Sequence, residues 1–496
     1  MDFIKGENRE QTILFPDSID SYIDENSTVR VIDAFVNNLD LSALNFSRYE
    51  PNETGRPAYS PKDILKLYIY GYMNRIRSSR RLETESKRNL ELIWLLNKLS
   101  ADHKTIANFR KDNKKALKNV FKSFVKLCLE LDLYGKELAA IDGCKFKAVN
   151  SKDRNFTKDK LKDRLKRLET KIDEYLKELE ETDNRETSVE KEKSVSQIQK
   201  IIKSLKERKE RYDAIEQELE ETCQTQKSLT DPESRLMLAN GKMDVCYNIQ
   251  TAVDAKNKLI TEFEVTNNAN DMNQLTPMAE KVMKILETEK ITATADKGFN
   301  SASDIAIATL QGVDVHVSGA DIQICIPTQE KEQAEIVEQK NGKCVYLKDR
   351  NIAVCPMGKM LYPQFYKKSK GLAIFFNTTA CNECSCRCTK EVRAFRHEVR
   401  MKEEDFSKEY NDKDLTVKQV HIKPETEIYR QRKSLCEHPF GTIKRSMDAG
   451  YCLLKGKANV TAEFSIIFLA YNIKRVINIL GSKKLIDFFT NRACTA

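Results

Sequence analysis

What this 496-residue chain lacks narrows it first. It has no long apolar run. The longest, FSIIFLAY at 464–471, is far short of the roughly 20 residues a membrane span needs. Its opening residues, MDFIKGENREQT, show no basic-then-apolar plan, so no secretory leader is expected. Together these absences predict a cytosolic protein with no membrane partner. Nor is there a strong excess of one charge. Lys and Arg number 84 against 75 Asp and Glu, a net +9 that permits a polyanionic partner without requiring one. Cysteine is not scarce. Fourteen of them in a reducing compartment are expected as thiols or metal ligands rather than disulfides. The length exceeds what one hydrophobic core usually holds.

Residues 1–130 read as helical. Ser60-Pro61-Lys62-Asp63 places Pro at a first helical turn, and Asp102 can cap a later helix. The run that follows Pro61 ends in Arg75, Arg77, Arg80, Arg81 and Arg88. Short helices with Arg and Lys on one side suit a helix-turn-helix-like DNA binder, or a bundle with a solvated basic face. His103 reads as a helix-start residue and Trp94 as core. From 157 to 222 the composition turns to Lys, Glu, Arg, Asp, Leu and Ile. Leu161, Leu165, Leu168, Ile172, Tyr175 and Leu179 alternate four and three apart, and the pattern resumes at Val195, Ile198, Ile202, Leu205, Tyr212 and Leu219. Two heptad arms around the break TDNRETS predict an antiparallel helical hairpin. Residues 243–266 read as a β-hairpin turning at Asp254, residues 272–287 as a helix, and 313–425 as strand-rich. Helices are expected at 427–448 and 460–480.

Three acids carry the chemical argument. In ELAAIDGCKFK an apolar strand ends at Asp142, then Gly143. In ITATADKGF a second strand ends at Asp296, with Gly298 two residues on. A buried carboxylate is costly unless paired, hydrogen-bonded or holding a metal. The third candidate, Glu437, lies in YRQRKSLCEHPFGTIKR. Lys444 follows it by seven residues, which on a regular helix is nearly the same face, with Lys433 four residues before it and Arg430, Arg432 and Arg445 around it. Glu437 is either a salt-bridged surface residue or a metal ligand on a phosphate-binding surface. Two Asp and one Glu suit Mg²⁺ or Mn²⁺, and a pair of such ions can activate water or a 3′-hydroxyl at a phosphodiester. Asp231 and Asp254 are rival acids, read as a cap or turn residue and a hairpin-turn residue.

These motifs resemble those of DDE transposases of bacterial insertion sequences, over nearly the whole length. GRPAYSPKDILKLYIYGYMNRIRSSRRLE with LIWLLNKLSADHKTIANFR resembles the InsH-type N-terminal domain. AIDGCKFKAVNS, TADKGF and CEHPFGTIKR resemble the strands and helix that carry the three acids. The resemblance implies an α/β protein. It would have an RNase H-like catalytic core, an N-terminal helical DNA-binding domain (1–130), a helical-hairpin insertion (157–225) and a strand-rich, zinc-bearing insertion (313–425). The core would then be assembled from 137–156, 226–312 and 426–496. The resemblance further implies that Asp142, Asp296 and Glu437 are the catalytic acids, holding two Mg²⁺ or Mn²⁺ ions. Lys433, Arg432, Arg430, Lys444, Arg445, Arg80 and Arg81 would meet DNA. The family's Tyr-Arg-Glu-Lys pattern is only partly kept, with Lys433 in the Arg slot and Arg430 in the Tyr slot. The implied partners are double-stranded DNA, as transposon ends and target, and further copies of the chain as a dimer or higher oligomer; the implied place is the nucleoid.

The cysteines of CPMGKMLYPQFYKKSKGLAIFFNTTACNECSCRC have zinc-like spacing. Cys355, Cys381, Cys384 and Cys388 are the expected set for one structural Zn²⁺, with Cys386 or Cys344 as substitutes; free thiols are the alternative. Two other functions compete: an RNase H-like nuclease without strand transfer, and an inactive transposase-derived DNA-binding protein.

Overall fold

The computed structural model describes residues 18–47, 49–50, 57–183, 189–222, 224–239, 241–318, 322–327, 334–339, 342–384, 397–402, 406–422 and 427–495. The helical N-terminal part holds α1 (Thr28–Asn37), α2 (Pro61–Met73), α3 (Ser79–Arg88), α4 (Leu90–Leu95), α5 (His103–Asp112) and α6 (Lys114–Glu130). Their starts follow from local chemistry. Ser60 Oγ accepts from the Lys62 N–H at 3.2 Å ahead of Pro61, and Asp102 accepts from the N–H groups of Lys104 and Thr105. Trp94 is partly buried, and its Nε1–H donates to Asp20 at 2.8 Å. Helix α2 is buried from Ile64 to Met73 without interruption. A helix apolar on every side must be surrounded.

Strand β1 (Leu138–Lys147) opens the main sheet. The chain then leaves it through β2 (Asn155–Thr157), α7 (Lys158–Asp183), α8 (Val189–Glu221) and β3 (Gln226–Ser228). Helices α7 and α8 pack as the antiparallel hairpin that the heptads predict. Leu161, Leu165, Leu168 and Ile172 are buried with Ile198, Ile202, Ile215 and Leu219, and Glu169 pairs with Lys209 at 2.7 Å. The side chains of Leu179 and Val195 and residues 184–188 of the break lie outside the described set. Phe156, Leu161, Ile215 and Leu219 form a small core where the hairpin is rooted. Leu161→Ala is expected to cost about 2–5 kcal/mol there. The expected result is faster amide exchange along 158–172 and 205–221, with the sheet unchanged; unchanged exchange in both arms would refute it.

The chain returns through β4 (Arg235–Ala239), β5 (Lys242–Asp254) and β6 (Ile260–Thr266), then α9 (Leu275–Leu286), β7 (Ile291–Ala295), α10 (Ala302–Leu310) and β8 (Val313–Val317). Strand β5 runs antiparallel to β1, and β6 antiparallel to β5, while β4 pairs with the other end of β5. On the far side, β7 is parallel to β1 and β8 parallel to β7. The six-stranded sheet therefore reads β5-β1-β7-β8, with β6 and β4 both paired to β5. Strand β8 extends it five residues past the boundary read from the sequence. Asp254 is indeed a turn residue, accepting from the N–H groups of Gly135, Lys136 and Lys256. Asp231 is buried, accepting from the Tyr247 hydroxyl at 2.8 Å and the Gly456 N–H at 3.1 Å.

The strand-rich segment holds β9 (Ile322–Pro327), β10 (Ala334–Gln339), β11 (Gly342–Leu347), β12 (Ile352–Val354), β13 (Met360–Lys367), β14 (Leu372–Phe376), α11 (Thr378–Asn382), β15 (Val399–Lys402) and β16 (Val417–Ile422). Strands β10 to β15 form a meandering sheet, and β16 pairs with β9. Last come α12 (Glu427–Gly441), a π turn over Thr442–Ser446, α13 (Lys457–Leu480) and α14 (Ser482–Thr495).

Helix α13 joins the parts. It packs against α2, α6 and β6, and it is buried along most of its length. Asn472 bonds both the N–H and the carbonyl of Ile260, which satisfies part of the β6 edge. One hydrophobic cluster runs from Ile23 to Phe489 through α2, the sheet and α13, so the N-terminal helices share a core with the sheet. Two of the arginines read as a basic face are tied to the last part of the chain, Arg75 at the surface and Arg77 buried. Arg75 donates to the carbonyls of Arg445 and Ser446. Arg77 donates to those of Asp448 and Tyr451 and pairs with Glu463 at 2.8 Å. Among the described residues, no single helix is long and apolar enough to cross a membrane. Helices α13 and α14 would pass together by length and composition, but they bend by 107° and α13 is a core helix.

Candidate active site

The last rung between β1 and β7 is Ile141 opposite Ala295. Asp142 and Asp296 are the next residues on each strand, so the ladder ends where both acids begin. Strand β1 continues to Lys147 beside β5, but on its other side β7 has stopped, which leaves an open notch next to Asp142 and Gly143. Asp296 caps a short 3₁₀ turn, its Oδ1 accepting from the Gly298 N–H at 2.8 Å.

Helix α12 covers the Asp142 face of β1. Leu435 and Cys436 pack on Ala140, and Arg432, on the same helix side, places Nη1 3.7 Å from Asp142 Oδ1. The Arg432 guanidinium also lies 5.7 Å from the Tyr429 ring centre. Burial pushes the Asp142 carboxyl up to about 7. Arg432 opposes that rise, while the nearby Asp296 and Asp271 add to it. Burial likewise pushes the Cys436 thiol up, next to the same acids.

Glu437 is exposed, one residue past Cys436, and among the described residues no hydrogen bond or ion pair engages it. The expectation that Glu437 and Lys444 share a face is corrected. Residues 442–446 form a π turn, whose larger number of residues per turn shifts the helix phase between the two. Lys444 is partly buried beside Cys144, with Nζ 5.0 Å from the Phe146 ring centre, on the β1 face that carries Asp142. Pro439 does not break α12, which runs on to Gly441. Lys433, Arg430 and Arg445 are exposed, Arg430 pairing with Glu427 at 3.3 Å. Arg80 and Arg81 are exposed on α3. His438 meets the Tyr471 hydroxyl at 3.1 Å, and burial holds its pKa down.

The sequence reading missed Asp271, in the loop between β6 and α9. Its Oδ1 accepts from Asn248 Nδ2 at 2.7 Å and Gln250 Nε2 at 2.6 Å. A Cβ on Gly143 would collide with that same oxygen, which explains the glycine after Asp142. The available signal was the pair of amides Asn248 and Gln250 inside the buried run of β5.

As donors, these carboxylates suit a hard divalent cation. Among the described residues, however, no three His, Cys, Asp or Glu side chains converge closely enough to hold an ion as they stand. In the strand-rich segment, Cys355 Sγ accepts from the Lys359 N–H at 3.3 Å. Burial raises its thiol pKa first, and neighbouring Cys381 and Cys384 add to that. Cys386 and Cys388 lie outside the described residues. Cys344 instead faces His397 Nε2 at 3.2 Å.

Two domain families match this sequence. One, described as a transposase domain of the DUF772 type, covers residues 17–112; the other, described as a transposase DDE domain, covers 354–477. No curated protein matches. One similar solved structure is a piggyBac transposase synaptic complex with hairpin DNA, at 8% identity over 94% of this chain and 79% of that one, with a TM-score of 0.30. At that score the likeness carries no weight.

Proposed function

The chain is a DDE transposase of the insertion-sequence type, an enzyme acting on DNA with divalent metal ions, and from that premise we propose which residues do the work. The observation that carries the reading is the placement of Asp142 and Asp296 one residue beyond the last rung of two adjacent parallel strands. Three antiparallel strands continued by two parallel ones, with helices between, is also the arrangement an RNase H-like core calls for.

Asp142 and Asp296 hold the ions, and Glu437 on α12 completes the set. Bound there, two Mg²⁺ or Mn²⁺ ions supply charge stabilisation at the attacked phosphate. Arg432, half-buried against Asp142, and Lys444, over β1, position the reacting strand. The exposed Lys433, Arg430, Arg445, Arg80 and Arg81 meet flanking phosphates. The structure divides the cations of α12 in a way that favours Arg432 over Lys433 at the reacting phosphate. Arg432 faces the acids and lies against Tyr429, and only a guanidinium offers a planar two-pronged contact.

Two steps follow. Water attacks phosphorus at the transposon end; the P–O3′ bond breaks, and the leaving oxygen takes a proton to become a 3′-hydroxyl. That hydroxyl then attacks a target phosphodiester. A new O3′–P bond forms as the target's own P–O3′ bond breaks. Two ends are paired by a dimer or higher oligomer.

The test uses labelled duplexes carrying the gene's terminal inverted repeats, with Mg²⁺ and a target plasmid. Cleavage at the repeat and joining to the plasmid are expected. Cleavage without joining would make the chain a nuclease, and specific binding without cleavage would leave a DNA-binding relic.

A structural Zn²⁺ at Cys355, Cys381, Cys384 and Cys388 belongs to the same reading. Its support is the proximity of the first three and the N–H bond to Cys355 Sγ, which opposes the rise that burial gives this thiol. Purified protein should release one equivalent of zinc on thiol modification, and Cys384→Ser should release none. A metal-free wild type with the same melting temperature would exclude the site.

A further inference from the structure

We propose that Asp271 is a further carboxylate of the cation site of Asp142 and Asp296, and that the buried amides of Asn248 and Gln250 hold it there. The inference deepens the reading of the active site given above and rests on it.

The notch beside Asp142 is bounded on one face by α12. Asp271 enters it from the other. Opposite residues of an antiparallel pair project to the same side, and Gln250 stands opposite Gly143 while Asn248 stands opposite Lys145. Their amides therefore hold Asp271 on the face away from Asp142's neighbours Ala140 and Cys144. Because β7 ends at Ala295, no strand separates that face from the acids at this point. The carboxylate comes close to both. Its Oδ1 lies where a Gly143 side chain would start. Its Oδ2 is 3.2 Å from the Cβ position of Gly298, a point only 2.9 Å from Asp296 Oδ1.

The two carboxylate oxygens of Asp271 are used differently. Oδ1 takes both amide donors. Oδ2 is turned toward Asp296. Among the described residues, no Lys, Arg or His makes an ion pair with Asp271, and the one guanidinium at the site is on Asp142. Three carboxylates with one ion pair among them repel one another unless a cation is bound. A second observation points the same way. Asn248 and Gln250 are fully buried, yet Asn248 Oδ1 and Gln250 Oε1 have no hydrogen-bond partner. Gln250 donates to Asp271, Asn248 donates to Asp271 and to the Asn268 carbonyl at 3.2 Å, and both leave their own carbonyls unsatisfied. That is a costly arrangement for a loop anchor. It is the arrangement expected where a carboxylate must be held in one orientation, and where a cation or its water shell is there for the oxygens to meet.

The experiment is Mn²⁺ binding to the full chain without DNA, followed by electron paramagnetic resonance and calorimetry, for wild type, Asp142→Asn and Asp271→Asn. Both variants should weaken Mn²⁺ binding by about tenfold or more. Gly143→Ala, which changes no charge but intrudes on Asp271, should weaken it as well. If Asp271→Asn and Gly143→Ala bind Mn²⁺ as wild type does while Asp142→Asn does not, Asp271 is only a loop anchor and the active-site reading stands. If Asp142→Asn also binds normally, the active-site reading itself falls. A measurement on the wild type removes any dependence on variants that fail to fold. Fe²⁺ with ascorbate should cut the backbone near 142, 271 and 296, and cuts near 142 and 296 without one near 271 would overturn the proposal.

Discussion

Asp142→Asn is expected to abolish excision of a marker bracketed by the transposon ends, by at least about 10³-fold, with binding to those ends retained. The substitution keeps the shape and removes one negative charge at the point where β1 and β7 stop pairing. If the acids assemble the cations that stabilise charge on the attacked phosphate, the loss falls on the chemical step and not on recognition. Binding and excision lost together would mean a folding defect. Excision retained near the wild-type rate would remove Asp142 from the mechanism.

The same variant carries a second expectation, with a definite sign. In the folded chain the Asp142 carboxyl is raised from 3.8 to about 7, chiefly by burial. Between these values the folded state binds the proton and the unfolded state has lost it, so stability falls as pH rises through this window. Below about 4 both states are protonated and the penalty is absent; above about 7 it is complete, at most about 4 kcal/mol. In EDTA, Asp142→Asn should therefore unfold like the wild type at pH 4 and at higher urea than the wild type at pH 8. Divalent cation added to the wild type at pH 8 should recover part of the difference. A variant less stable than the wild type at pH 8 would contradict the burial argument.

How far the sequence reaches is set by the range of the contacts. Asp142 and Asp296 were legible because an apolar run ending in Asp and Gly is a local pattern. The hairpin was legible because its seam repeats within each arm. Three features were not. The bonding of Arg75 and Arg77 within the chain depends on carbonyls some 370 residues away, and in the sequence the two look like part of a basic face. Asp271 joins the site through side chains of β5, with nothing in NNANDMNQ to mark it. The phase of α12 was misjudged because seven residues return to the same face only on a regular helix, and the π turn lies inside that interval. Each miss is a tertiary contact or a local pitch that composition and spacing do not encode.

Glu463→Ala is expected to cost about 3–5 kcal/mol, the loss that follows when one partner of a buried ion pair is removed. Glu463 is fully buried on α13, and its carboxylate is the meeting point of two parts of the chain. It pairs with Arg77 at 2.8 Å, and it accepts from the N–H groups of Leu453 and Leu454 at 3.0–3.1 Å. Arg77 in turn bonds the carbonyls of Asp448 and Tyr451 and lies 4.8 Å from the centre of the Tyr451 ring. Removing the acid leaves the buried Arg77 guanidinium without its counter-charge, though still bonded to two carbonyls, and the two amides without an acceptor. That desolvation penalty, rather than the lost attraction, sets the size of the effect. It is a large share of the roughly 5–15 kcal/mol that holds a domain together. The segment it ties, 446–454, follows directly on Lys444 and Arg445, so the damage should also reach the site. Urea denaturation should show a lower midpoint, and partial proteolysis should open cuts near 446–456. The double replacement Arg77→Met with Glu463→Leu, which removes both charges, should recover much of the loss. If Glu463→Ala lies within about 1 kcal/mol of the wild type, the pair is not the clasp between the N-terminal helices and α13, and the shared hydrophobic cluster alone holds them together.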